Sequence, residues 1–232
     1  GSRIGIVFNG SPLFTGDAGS GESEIRRWIL ENDYLECVIQ LPDRMFFNTG
    51  ITTYIWIITN KKMLDRKGKV QLINGASFGT SMKKNLGDKG KFISDDKIRR
   101  LKEIYLNNKE NDFCKIFNNQ YFGYTKVIIE QPLIKDGIVQ KDKKGNIKAD
   151  PNKRGSERIP LTENIDVYFD KEVKTHLPDS WIDRSKNKIG YEINLTKYFY
   201  EFESLRNLKD ISKDLKIIDE EIKNLSLDVD YE

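Results

Sequence analysis

The chain has 232 residues, 38% of them hydrophobic and 32% charged, enough apolar material for one large or two small domains. Its two cysteines have no metal-ligand spacing and give no disulfide framework. No apolar run approaches the ~18 residues of a membrane span and no signal peptide is visible, so the chain reads as cytoplasmic, with no membrane partner. The net charge of +3 conceals an asymmetry: residues 81–160 carry 19 Lys/Arg against 11 Asp/Glu, and residues 161–232 carry 11 against 17. A basic middle attracts a phosphate backbone, while an acidic last third suits a protein partner.

In chain order, Arg3 to Asn9 predicts a short buried strand around IGIVF. A glycine-rich run, Gly16-Asp17-Ala18-Gly19-Ser20-Gly21, then reads as a flexible lead into a helix rather than a cofactor loop. That helix spans Glu24 to Asn32, with Ser23 as cap and Ile25, Trp28 and Ile29 as its core stripe. Two strands follow, CVIQL and TTYIWIIT, rich in β-branched and aromatic residues. The unbroken apolar run Tyr54 to Ile58 suits a strand covered on both faces. Cys37 sits in the first of these strands and reads as an inert core residue. Crossover rules make the first two strands parallel and the last pair antiparallel.

The loop between the last two strands carries Pro42, Phe46, Phe47, Asn48, Thr49 and Gly50. Two aromatics stranded there either plug the sheet end or stack on a flat ligand, because sites of open α/β sheets lie at strand ends. Lys69 to Ile73 predicts a further strand. A helix begins near Ser94, with Asp95 and Asp96 in its first turn and Ile98, Leu101 and Tyr105 on one face. Thr125 to Ile129 reads as a strand, Ile134 to Lys148 as a polar hairpin or loop, and Ile165, Tyr168, Phe169 and Val173 as the inner face of a second helix. Leu208, Ile211, Leu215, Ile218, Ile222 and Leu225 form a heptad-like stripe of about two and a half heptads, open to packing in cis or on a partner helix. The lone His176 has no second histidine or nucleophile beside it. Asp179, Asp183 and Glu192 read as surface or capping carboxylates, and Trp181 and Tyr191 as anchors of their loop on the C-terminal helices.

These residues carry a family resemblance. GSRIGIVFNGSPLFTGDAGSGESEIRRWILENDYLECVIQLPDRMFFNTGITTYIWIITN resembles the latter part of an adenine-N6 DNA methyltransferase, in the subgroup of modification (M) subunits of type I restriction-modification systems. KGKVQLINGASF, KIFNNQYFGYTKVIIEQPL, SERIPLTENIDVYF and LPDSWIDRSKNKIGYEINLTKYFYEFE are similar to that subunit's C-terminal part, in the same order. The resemblance implies an α/β fold: the C-terminal part of a Rossmann-like S-adenosylmethionine-dependent sheet, in the order strand, helix, strand, strand with the last strand antiparallel. A mixed, mainly helical C-terminal region would follow. Residues 1–80 would be catalytic fold, 81–160 a basic connecting region, and 161–232 an acidic helical region for subunit interaction.

The family grips its donor with a Gly-rich turn after its first strand and the adenine with an Asn-Pro-Pro-Phe/Tyr motif; neither occurs here. The resemblance therefore implies a fragment, inactive alone, with S-adenosylmethionine held by a missing N-terminal part and no cofactor, metal or catalytic residue of its own. Gly1-Ser2 are native residues or an expression scar. What the fragment supplies is a ring against the target adenine. Phe46, five residues before the β-branched Ile51, matches best and Phe47 is the runner-up, with Asn48, Thr49 and Gly50 completing the base-pocket loop. Implied partners are double-stranded DNA, the specificity (S) subunit, which meets the C-terminal helical region, and the restriction (R) subunit. The competing reading is a non-catalytic module that binds a protein or DNA.

Overall fold

The computed structural model describes residues 1–200 and 206–229; residues 201–205 and 230–232 of the acidic last third lie outside the described residues. Two compact units divide the chain, Gly1–Phe199 and Tyr200–Glu232. In the first unit the elements run β1 (Arg3–Asn9), α1 (Ser11–Phe14), α2 (Gly21–Glu31), β2 (Leu35–Gln40), β3 (Thr53–Thr59), β4 (Lys69–Asn74), β5 (Thr80–Leu86) and β6 (Lys89–Phe92). They continue with α3 (Asp95–Asn107), β7 (Cys114–Asn118), β8 (Gly123–Glu130), β9 (Ile134–Lys135), β10 (Ile138–Val139), β11 (Gly155–Pro160) and α4 (Ile165–Tyr168). The last are β12 (Trp181–Ile182), β13 (Lys188–Tyr191) and α5 (Leu195–Phe199). Among the described residues the second unit contains one long helix, α6 (Leu208–Val229).

The main sheet has the order β1-β3-β2-β4-β7. β3 is antiparallel to both β1 and β2, and β2 is parallel to β4, so β1, β2 and β4 all point the same way. The first two strands are thus parallel in direction, as expected, but the reversed β3 lies between them. β3 is packed on both faces, as its unbroken apolar run requires. Tyr54 and Trp56 join the core on the α2 side with Leu30, Val38 and Leu72, while Ile55 and Ile57 pack towards α3 with Cys37, Ile39, Leu101 and Ile104. A β-bulge inserts one extra residue, Glu36, between Leu35 and Cys37. It lets Leu35 and Val38, three apart, share one face, and it turns the Glu36 carboxylate towards α3.

Two expectations about the first elements are corrected. β1 is not buried: Ile4 is 56% and Val7 51% exposed, because β1 is an edge strand paired only with β3. Of the stripe Ile25–Trp28–Ile29, Ile29 packs on the core while Ile25 and Trp28 are 62% and 58% exposed. The buried face is Ser23, Arg26 and Leu30. Arg26 donates from Nε to the Tyr191 carbonyl at 2.6 Å and from Nη1 to the Pro12 carbonyl at 3.1 Å, and Ser23 Oγ accepts the Tyr191 N–H at 3.3 Å. The helix buries Ser23 and Arg26 beside Leu30 because β13 presents backbone groups that need partners. Tyr191 therefore anchors β13 on α2 through its backbone, and it shares a core cluster with Leu195 of α5. The N-cap is Ser20, which accepts from the Ser23 N–H, so Ser23 lies inside the helix.

Residues 123–193 are not mainly helical. β8 is the centre of an antiparallel sheet with β11 on one side and β12 and β13 on the other. Val127, Ile129 and Ile159 pack there against Phe169 and Val173, the inner face expected of the second helix, which here is α4 continued by a π turn. The partner strands are short and β11 buries only Ile159, so no apolar run announces them. The polar hairpin is present as β9–β10, with Asp136 and Gly137 at positive φ in its turn. Ser94 is the N-cap position of α3, though its side chain makes no cap bond, and the buried face is Leu101 and Ile104 with Ile98 half exposed.

Candidate functional site at the carboxyl edge of the main sheet

Because β1, β2 and β4 are co-directional, their carboxyl ends meet one edge of the sheet, where open α/β sheets bind ligands. Residues 41–52 leave β2 at that edge and return as β3. The loop is closed at its base by the Leu41 N–H donating to the Thr53 carbonyl at 2.8 Å, and further out by Arg44 N–H to the Gly50 carbonyl at 3.2 Å. Arg44 adopts φ +55°, which turns the chain. Phe46 and Thr49 face each other across a tight turn with Phe47 and Asn48 at its tip. Phe46 is 39% and Phe47 57% exposed. Asn48 and Gly50 are exposed, and Thr49, half-buried, accepts the Ile51 N–H on its hydroxyl at 3.3 Å. All five predicted pocket residues therefore share one short loop, and neither phenylalanine plugs the sheet.

The β5–β6 hairpin, which the sequence reading missed, buttresses this loop. Asp88 N–H donates to the Phe47 carbonyl at 3.0 Å, and the Gly90 and Lys91 N–H groups both donate to the Arg44 carbonyl, at 3.0 and 3.1 Å. Lys91 forms an ion pair with Asp43, and Lys89 Nζ lies 5.0 Å from the Phe47 ring centroid, in cation–π range. A Cβ on Gly87, at φ +61°, would stand 2.7 Å from the Phe47 carbonyl oxygen. The Gly87-Asp88 turn was the one available signal for this hairpin; its strands are too polar to show alternation.

At the opposite, amino end of the strands two buried charge clusters hold the frame. Glu36, with its side chain 1% exposed, accepts from Arg3 Nε at 2.9 Å and Tyr105 OH at 2.9 Å and stands 3.6 Å from Arg66 Nε. Burial and the Glu36 hydrogen bond push the Tyr105 hydroxyl up to about 12. Lys62 is buried between Asp33 (2.5 Å) and the Lys69 carbonyl (2.6 Å). Burial works against the Asp33 charge, but hydrogen bonds from Lys62, the Gly68 N–H and Asn119 outweigh it and hold its pKa below the usual range. A polar cleft of about 710 Å³ opens at this end beside Asp33, Asn119 and Tyr191, far along the strands from the aromatic loop.

The remaining candidates are not brought together. His176 is exposed. Asp183 pairs with Lys186 at 2.7 Å and Glu192 with Arg158 at 2.7 Å, so they form no carboxylate pair. Cys37 is fully buried and burial pushes its thiol well up, in keeping with an inert core residue. No helix among the described residues is long and apolar enough to cross a membrane. In the glycine-rich run a Cβ on Gly16 would collide with Ser20 Oγ and one on Gly19 would meet Lys188 at 3.1 Å, so both positions, at positive φ, require glycine.

Comparison with known proteins bears on the same residues. The family described as N-6 DNA Methylase matches residues 1–127, more than half of the chain. The MjaVIII type I restriction enzyme methylase subunit of Methanocaldococcus jannaschii is 31% identical over 49% of this chain and 19% of its own length. The HindI methylase subunit of Haemophilus influenzae is 36% identical over 33% of this chain and 16% of its own. Among solved structures, the type I restriction-modification methyltransferase subunit of Streptococcus thermophilus matches 52% of this chain and 24% of its own, with 25% identity and a TM-score of 0.45. The chain spans about a fifth of the length of these relatives. It belongs to the N-6 DNA methylase family, and its kin there are the type I modification subunits.

Proposed function

We propose that this chain is the rear part of a type I restriction-modification DNA methyltransferase that transfers a methyl group from S-adenosylmethionine to adenine N6. In this reading the donor, and the acceptors that orient the adenine amino group, are held by polypeptide outside residues 1–232. The residues here supply the aromatic wall of the pocket for the extruded base. The observation that carries the reading is the pair Phe46 and Phe47, exposed on a braced loop at the ligand edge of the sheet, inside the segment the family matches. Extruding a base costs a few kcal/mol, and stacking it on a ring returns roughly 1–3 kcal/mol. Lys89 already covers Phe47, which leaves Phe46 as the stacking ring.

A second feature supports further polypeptide from the same enzyme. The edge strand β1 and helix α2 line an apolar groove with Ile6, Phe8, Ile25, Ile29 and Trp56. Trp56 is 3% exposed, yet its indole N–H has no partner among the described residues. An edge with this composition is expected to be covered in the working protein. The acidic α6 unit, with its exposed apolar stripe, is the surface for the S subunit, and the R subunit joins the assembly for cleavage.

The test is Phe46→Ala in the complete methyltransferase. Loss of 1–3 kcal/mol of stacking predicts a roughly 5- to 150-fold fall in methylation, with donor affinity nearly unchanged. A 2-aminopurine at the target position reads base extrusion independently. Equal loss of donor binding, or of folding, refutes the role of Phe46. An assembly that binds DNA or a protein but methylates nothing favours the non-catalytic reading.

A further inference from the structure

We propose that the β5–β6 hairpin is a phosphate grip, holding the DNA strand beside the extruded adenine through Lys83 and Lys84. The proposal rests on the base-loop reading above and adds the contacts that seat the DNA at that loop. Three observations carry it. The first is charge: residues 80–92 contain four lysines and one acid, Asp88. Lys91 is engaged by Asp43, whereas Lys83 and Lys84 are exposed with no carboxylate in ion-pair range among the described residues. The second is attachment. Backbone bonds from Asp88, Gly90 and Lys91 tie the hairpin to the carbonyls of Phe47 and Arg44, so lysines and ring share one rigid body. No other described element brings exposed lysines to the base loop through bonds of this kind.

The third is the chemistry of the side chains. Both are lysines, compact point charges that suit a phosphate. The hairpin therefore grips any sequence. A seven-residue strand spans about 23 Å, and phosphates on one strand repeat every ~3.4 Å. Lys83 and Lys84, near the middle of β5, can thus reach phosphates within about three nucleotides of the adenine.

The experiment uses the complete methyltransferase carrying Lys83→Ala with Lys84→Ala, and measures duplex affinity by anisotropy across a salt series. Each phosphate contact contributes a slope of about 0.9 in log K against log salt. The double variant should flatten the slope by about 1.8 and weaken binding tens-fold at 0.1 M salt, equally for target and unrelated duplexes. Lys83→Arg with Lys84→Arg should restore the slope. An unchanged slope overturns the proposal, as does a loss confined to target DNA or a loss of subunit assembly with DNA binding intact. Location is tested by Lys84→Cys carrying a photo-cross-linker. Cross-links within about three nucleotides of the adenine support the grip, and cross-links elsewhere overturn it. The two readings fail separately. A wild-type methylation rate in Phe46→Ala sinks the base loop, and an unchanged salt slope sinks the hairpin.

Discussion

Glu36→Ala gives the clearest test of how the sheet is held, and a control for every loop variant. Glu36 is the extra residue of the β2 bulge, at the amino end of the strand, away from the aromatic loop. Its carboxylate accepts from Arg3 and Tyr105 and faces Arg66, whose own side chain is 7% exposed. Removing one partner of a buried ion pair costs about 3–5 kcal/mol, because the remaining charge is stranded. Here the lower end applies. Arg66 keeps Gln71 Oε1 at 3.0 Å and the Tyr105 carbonyl, and Arg3 is half exposed and can return to water. The expected loss is therefore about 3 kcal/mol, and about 1–2 kcal/mol for Glu36→Gln, which keeps an acceptor but not the charge. With an m-value near 2 kcal/mol/M, Glu36→Ala should lower the urea midpoint by roughly 1.5 M. A shift below about 0.5 M, or Glu36→Gln equal to Glu36→Ala, would refute the ion-pair account.

Phe46→Ala should behave in the opposite way. The ring is 39% exposed, and its removal should cost under about 1 kcal/mol while methylation collapses. A urea midpoint shift as large as that of Glu36→Ala would make its effect structural. Stability should also fall at alkaline pH. Burial, aided by Glu36 for Tyr105 and by Glu31 for Tyr191, pushes these hydroxyls and that of Tyr198 up to about 12. A tyrosine whose folded pKa exceeds its unfolded value of about 10 contributes stability below pH 10 and loses it as pH climbs towards 12. Unfolding midpoints should drop across that window, following tyrosinate absorbance, and a flat profile would count against the buried tyrosines. In the second unit, Ile218→Asp should leave α6 folded, since Ile218 is 49% exposed, yet prevent co-purification with the S subunit. Unchanged assembly would remove α6 from that interface.

The elements legible in the sequence were those whose burial is simple. β3 is covered on both faces by helix-side cores, so its apolar run is unbroken and readable. The α4 stripe and the β9–β10 turn were equally plain, because apolar spacing and an Asp-Gly turn are local signals. What escaped depends on distant partners. Nothing within α2 reveals that Arg26 is buried; that follows from the Tyr191 and Pro12 carbonyls, 165 and 14 residues away. The exposure of β1 follows from strand order, which periodicity does not encode. β5, β6 and β11 are polar strands stabilised by backbone pairing and one covered face, so they offer no apolar alternation. The aromatic loop stands out in the sequence because two phenylalanines in a loop contradict their own chemistry, and both rings are exposed.

The reversed strand explains why the aromatics can be held firmly. Parallel neighbours need a long crossover, usually a helix, to join them, whereas antiparallel neighbours can be joined by a short loop. Because β3 runs against β2, residues 41–52 pass directly from one strand to the next at the carboxyl edge, with no helix to carry the chain away. The same reversal places β3 between β1 and β2, so the loop emerges inside the sheet's width rather than at its margin. β4, parallel to β2, ends on the same edge and leads within a few residues into the β5–β6 hairpin, which bonds to the loop from the side. The aromatic loop thus has strands beneath it and a basic hairpin beside it. Its rings can stay exposed without collapsing onto the core, which is the condition a base-stacking surface has to meet.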